Sequence, residues 1–300
     1  MQIKTIRKNI EMKLSQWLST ITEEDLRTKV KNNLLLCGGS ITSMLLDEPV
    51  NDYDIYIKDM DILRDLIEYY IKPYCPHIIA LDGRRKNEYL SVDMNEYRKG
   101  VYVIAVNNLK SNQIKLFFQD KNGGLRIVEN EKEEFKLNYV PVFFSPNAIS
   151  LSGNIQIIAR FHGDNEAIHK TFDFIHATNY FTFVKGVVTN KEALESIITK
   201  QLKYQGSFYP LTSILRMKKF IKKGWNINAG EILKILFQIS ELDLRNIDVL
   251  EEQLIGVDVA YFSQLINILR GITDQSVLTT HYINTLIERV FNASTDETGL

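Results

Sequence analysis

The feature that most constrains how this chain can fold is a change of hydrophobic period at residue 34. Upstream, Ile6, Ile10, Leu14, Trp17 and Leu18 recur at helical spacing, and Thr22 through Asp25 has the form of a capped helix start. Residues 1–32 therefore read as two short helices. From Leu34, three leucines run into Cys37-Gly38-Gly39-Ser40, after which Ile41, Met44 and Leu45 mark one face of a new helix. A turn at Pro49 leads into DYDIYI, whose period of two is that of a strand. Strand, glycine turn, helix and strand in this order predict a mixed α/β beginning.

From about Val101 to Val188 the chain is rich in β-branched and aromatic runs: VYVIAV, KLFFQD, YVPVFF, NIQIIARF and TFDFIHA. These predict a mostly antiparallel or mixed sheet. Beyond Asn190 the pattern turns helical, most clearly in EILKILFQISEL, DVAYFSQLINILRGI and VLTTHYINTLIERVF. The expected fold class is α+β, a mixed sheet flanked by helices and followed by an all-helical domain. The expected division is residues 1–190, residues 191–291, and a loose polar tail over 292–300.

With 300 residues, 45% of them hydrophobic, the chain can bury one large core or two modest ones. Its formal charge of −1 means that attraction to nucleic acid must come from a local basic face. Cys37 and Cys75 lack CxxC or Cys/His spacing, so neither zinc nor a disulfide framework is expected. The N-terminus has no uninterrupted apolar stretch, and no run reaches membrane-spanning length. A cytoplasmic protein is expected, with no membrane partner.

In DYDIYI, side chains alternate between sheet faces, so Asp52 and Asp54 share one surface while Tyr53, Ile55 and Ile57 point to the other. Their backbone repeat of roughly 6.6 Å lets convergent carboxylates hold a metal pair roughly 3.5–4 Å apart. Hard oxygen ligands of this kind suit Mg2+, with Mn2+ as a substitute. A bare DxD is more often a solvated strand face. Gly38-Gly39-Ser40 changes that balance, because glycines between a strand and a helix permit close backbone approach and offer amide donors to a phosphate. An anion site beside a metal site is what phosphoryl or nucleotidyl transfer requires.

GGS, a short helix and DYDIY together resemble the signature of the DNA polymerase beta-like nucleotidyltransferases. The block GNIQIIARFHGDNEAIHKTFDF is similar to the part that carries a third acid in viral and phage-encoded poly(A)-polymerase-like members. The resemblance covers roughly residues 34–240. It implies that Gly38, Gly39 and Ser40 hold the NTP phosphates, that Asp52 and Asp54 bind two metal ions, and that Asp173 binds the catalytic ion and activates the attacking hydroxyl. Asp93, in the polar stretch SVDMNEYRKG, is the rival for that third position. If the chain is phage-encoded, as such members are, its place is the host cytoplasm.

Between Glu195 and Glu231 no acidic residue occurs, while Lys200, Lys203, Arg216, Lys218, Lys219, Lys222 and Lys223 accumulate. Ile214, Met217, Ile221 and Trp225 read as an inward stripe, leaving Arg216, Lys219 and Lys223 on another. Any one of these lysines fits a solvated helix face. Arg216 and Lys219 together match the basic helix that opens the second domain in the related enzymes, and are assigned to nucleotide binding. Tyr204 and Tyr209 are candidates for base stacking or for core packing. Ser145 and Asn147 could contact base or ribose or form an ordinary turn, and His162, His169 and His176 lack metal-ligand spacing.

The resemblance thus implies a template-independent, two-metal nucleotidyltransferase moving a nucleoside monophosphate from an NTP to an acceptor hydroxyl, with an RNA or tRNA 3′ end as the first expectation. Transfer to a protein or small molecule is the second. An inactive binding module on the same scaffold is the third, and the presence of all three acids argues against it.

Overall fold

A computed structural model of the protein describes residues 2–73, 78–83, 102–107, 113–117, 125–127, 138–145, 147–253, 265–266, 268–272 and 279–292. Cys75, Asp93 and residues 293–300 of the expected tail lie outside the described residues. The first apolar stripe forms α1 (Ile3–Ser19), which buries Ile6, Ile10, Leu14, Trp17 and Leu18. Helix α2 (Glu24–Asn33) follows and runs directly into β1 (Leu34–Cys37), buried along its whole length. Next come α3 (Gly39–Leu45), β2 (Tyr53–Ile57) and α4 (Met60–Ile71), whose start is capped by the Asp59 carboxylate accepting from the N–H groups of Asp61 and Ile62.

Strands β3 (Ile78–Gly83), β4 (Tyr102–Asn107) and β5 (Gln113–Phe117) form a separate three-stranded sheet. The chain then adds β6 (Leu125–Arg126), β7 (Pro141–Phe144), β8 (Ala148–Leu151), β9 (Ile155–Ile158), α5 (Asn165–His169), β10 (Tyr180–Thr182) and β11 (Gly186–Val188). The main sheet is mixed and eight-stranded, in the order β11-β10-β1-β2-β9-β8-β7-β6. β2 lies at its centre, antiparallel to β1 and parallel to β9. Leu36 pairs with Ile55, and Ile55 in turn with Ile157, so three buried side chains sit in register beneath the helices.

Two compact units make up the described chain. One comprises Met1–Lys170 and His176–Ile197, the other Thr171–Ile175 and Ile198–Leu300. α6 (Lys191–Thr199) spans the passage from the first to the second. Among its described residues the second unit has helices and a parallel pair, β12 (Gln201–Leu202) with β13 (Asn226–Ile227). Its described helices are α7 (Pro210–Lys222), α8 (Ala229–Ser240), α9 (Ile247–Gln253) and α10 (Thr280–Asn292).

Two expectations are corrected. TFDFIHA is not a strand: Phe174 makes an isolated bridge to Tyr204, and Ile175–Thr178 is a 3-10 turn. Its backbone is drawn away from a ladder because Ile175 N–H donates to Lys203 O, while Ala177 O accepts from Gly38 N–H. Aromatic strand propensity yields to these partners. The inward stripe of α7 also differs, since Ile221 is exposed whereas Thr212 and Ser213 are buried. The two hydroxyls can be buried because Thr212 donates to Gln253 O and Ser213 to Tyr209 O.

Within the first unit the buried Trp17 indole donates to the Tyr70 hydroxyl at 2.9 Å. Tyr70→Phe should strand that N–H in the core and lower unfolding free energy by about 1–3 kcal/mol. Denaturant unfolding of variant and parent at matched pH checks this; an unchanged midpoint would show that the pair contributes nothing.

Candidate active site

The turn between β1 and α3 holds Gly38 at φ +96°, a conformation that side-chain-bearing residues rarely adopt. Its N–H donates to Ala177 O at 3.1 Å, and Thr42 Oγ1 donates to His176 O at 2.9 Å. A Cβ on Gly38 would lie 2.9 Å from Asp54 Oδ2, so the Asp54 carboxylate rests against the turn itself. This follows from the β1–β2 register, which brings the end of β1 alongside the start of β2. Burial and the nearby Asp54 carboxylate both push the Cys37 thiol well up, so it stays a neutral packing group.

Gly39 opens α3, and a Cβ there would meet nothing within 4 Å. Ser40 is buried, yet its Oγ has no hydrogen-bond partner among the described residues. A buried hydroxyl without a partner costs free energy unless something outside the chain completes it. The sequence therefore places an open glycine, an unsatisfied donor and a carboxylate around one turn.

Asp52 falls just before β2 and is exposed, while Asp54 lies within it and is half-buried. Tyr53, between them, stacks beneath the ammonium of Lys13 at 5.6 Å from the ring centre, and Tyr139 receives the same ammonium at 5.0 Å. Burial lowers the Lys13 pKa and raises those of both tyrosines. Among the described residues no group of three or more His, Cys, Asp or Glu side chains is arranged to hold a metal ion. A pair of carboxylates nevertheless suits magnesium, which commonly takes one or two carboxylates and completes its shell with water and phosphate oxygens.

Asp173 and Arg216, expected in separate roles, are partners. The buried Asp173 carboxylate accepts from Ser207 Oγ at 2.8 Å through Oδ1 and from Arg216 Nη1 at 2.6 Å through Oδ2, all within the second unit. Lys218, Lys219, Lys222 and Lys223 are exposed at the end of α7. Tyr204 and Tyr209 are buried, and the Tyr204 hydroxyl donates to Gln238, its pKa raised to about 12 chiefly by burial. Ser145 closes its own turn by bonding Ala148, and Asn147 Oδ1 accepts from Arg160 at 3.0 Å. Sequence reasoning missed Thr42, Ser207 and the carbonyls of His176 and Ala177. Backbone acceptors leave no mark in side-chain identity.

The sequence pattern described as "Gabija anti-defense 2 family protein" matches residues 8–200, a stretch that includes the glycine turn, Asp52, Asp54 and Asp173. "Gabija anti-defense 2" of Bacillus phage SPbetaL7 is 21% identical over 237 residues, covering 78% of this chain and 44% of that protein. The chain thus spans less than half the length of this relative. Among solved structures, the CCA-adding enzyme of Bacillus stearothermophilus in complex with CTP is similar at a TM-score of 0.39 and 11% identity, covering 85% of this chain and 51% of that one. The Thermotoga maritima CCA-adding enzyme complexed with tRNA gives 0.36 and 13%, with 85% and 53% coverage.

Neighbouring glycines should respond in opposite ways. Gly38→Ala meets both an unfavourable φ and the Asp54 carboxylate, and should cost about 1–3 kcal/mol of stability. Gly39→Ala enters open space in a helix and should leave stability unchanged or raise it by up to about 1 kcal/mol. Thermal melts of the two variants check the contrast, and equal shifts would contradict the turn geometry. His176 supplies a pH test. Burial lowers its pKa from 6.5 to about 4, so between those values the unfolded chain binds more protons than the folded one. Its contribution is complete above pH 6.5 and declines as pH falls toward about 4. His176→Leu should flatten this part of the stability–pH curve; an unaltered slope would assign the loss to other groups.

Proposed function

The chain belongs to the Gabija anti-defense 2 family, and on that premise we propose that it is a metal-dependent nucleotidyltransferase acting from the turn between β1 and α3. The observation that carries this reading is the buried Ser40 hydroxyl, without a hydrogen-bond partner among the described residues, on a glycine turn against which the Asp54 carboxylate rests. The backbone at Gly38 and Gly39 lets phosphate oxygens approach, and Ser40 donates its hydrogen bond to one of them. Asp52 and Asp54 would hold the Mg2+ ions, with Mn2+ able to replace them. When bound, such ions neutralise the triphosphate and favour ionisation of the acceptor hydroxyl. The new bond joins the acceptor oxygen to the α-phosphorus, the bond to pyrophosphate breaks, and the hydroxyl proton passes to solvent.

An RNA 3′ end is the acceptor this reading favours. Four exposed lysines at the end of α7 supply a local basic surface in a chain of net charge −1. Lys219 belongs to that surface. A protein acceptor is the second reading, favoured by the family's name, since a component of the Gabija defence is an obvious object for an anti-defence enzyme. Either acceptor places the protein in the host cytoplasm.

Incubation with α-labelled NTPs, magnesium and a mixture of host RNA and protein separates these readings by where label appears. Asp54→Asn and Asp52→Asn should each reduce labelling at least about 100-fold, because each removes a metal ligand while keeping side-chain shape. Circular dichroism should remain that of the parent. Label transfer undiminished in both variants, or none by the parent onto either class of acceptor, would sink the proposal.

A further inference from the structure

The residue that the family resemblance assigns to the metals, Asp173, sits in a short segment gripped at both ends. At one end Ser207 and Arg216 each take one oxygen of its carboxylate, and Gln205 N–H donates to its carbonyl at 3.0 Å. At the other end the carbonyls of His176 and Ala177 receive the Thr42 hydroxyl and the Gly38 N–H. Only Phe174 and Ile175 separate these ends, and neither has slack. Phe174 packs edge-on against Tyr204 and Phe220, with ring centres 5.9 and 6.0 Å apart, and Ile175 N–H is bonded to Lys203 O at 3.0 Å.

We propose that Asp173 is a positioning residue whose ion pair with Arg216 fixes the 3-10 turn Ile175–Thr178, and through it the conformation of the glycine turn that binds phosphate. The identification of that turn as a phosphate site rests on the nucleotidyltransferase reading; the mechanical link does not. A buried carboxylate that loses its guanidinium must find water or another donor, which requires the backbone at 173 to move. The next residues then carry the displacement to His176 and Ala177, because their other contacts leave no loop to absorb it. Gly38, held at positive φ in part by its bond to Ala177, is the position least able to ignore such a shift. Arg216 is a positioning residue in the same sense, acting on the turn through Asp173.

Hydrogen–deuterium exchange of the full chain, without nucleotide or metal, tests the link. In Arg216→Ala the peptide spanning Gly38 to Thr42 should exchange at least about tenfold faster than in the parent, while α1 exchanges as before. Arg216→Lys keeps the charge but loses the planar fork, and should fall between parent and Ala. With Mg2+ and NTP added, Arg216→Ala should raise the NTP dissociation constant about tenfold or more, with Arg216→Lys recovering part of the loss. Parent-like exchange at 38–42 in Arg216→Ala overturns the proposal. So does an Asp173→Asn variant with parent-like exchange and NTP affinity that transfers nothing, since that is the behaviour of a metal ligand. Should Arg216→Ala not fold, Arg216→Lys and Ser207→Ala carry the comparison, and unchanged exchange at 38–42 in both overturns the link. A parent that binds no NTP refutes the nucleotidyltransferase reading and leaves the exchange result to judge the link by itself.

Discussion

The contact between the Asp54 carboxylate and the backbone at Gly38 is the constraint around which the first unit is arranged. It exists only because position 38 carries no side chain, and it requires β1 and β2 to pair in one register. The core fixes that register. Leu36, Ile55 and Ile157 meet on the buried side, so a slip of one residue would carry the apolar set out and Asp54 in. The core that fixes this register therefore also sets the Asp54 carboxylate beside the glycine turn.

The parts of this arrangement governed by local pattern were readable from the residues. The apolar spacing of α1, the period change at Leu34, the glycine turn and the alternating strand of β2 all appear where periodicity places them. Asp52 was read as part of the strand and lies just before it, a shift of the kind that fraying at an element's edge produces. The segment around Asp173 was not readable in the same way. Phe172, Phe174 and Ile175 have strand-forming side chains, but the deciding partners are Arg216, Ser207 and the Lys203 carbonyl, far along the chain. α7 gives the same lesson from the other side. Polar Thr212 and Ser213 are buried because Gln253 O and Tyr209 O accept from them, and no periodicity of apolar residues can anticipate that.

Charge is distributed differently in the two units. In the first, the Lys13 ammonium lies over two tyrosine rings, and the desolvation that lowers its pKa makes it a poor counter-ion for the acidic pair. In the second unit the buried acid is matched by Arg216, and further positive charge stands on the exposed lysines at the end of α7. The acids that suit a cation and the cations that suit a polyanion are drawn from different parts of the sequence, which is why net charge is silent about both.

Three consecutive residues of the turn each depart from what folding alone would favour. Gly38 accepts a backbone conformation open to few other residues. Gly39 occupies a helix position where alanine would be as good, or better by up to about 1 kcal/mol. Ser40 buries a hydroxyl with no partner among the described residues, at a cost of about 1–3 kcal/mol. Each choice could be explained singly as tolerance of a small defect. Their succession, where the Asp54 carboxylate lies against the turn, does not follow from packing, because alanine at 39 and at 40 would serve the fold as well or better. Local rules are also set aside elsewhere, as at Asp47, Tyr139, Asn154 and Lys200 with their positive φ, but among the described residues only here do three consecutive residues depart from them beside a carboxylate that a Cβ would strike.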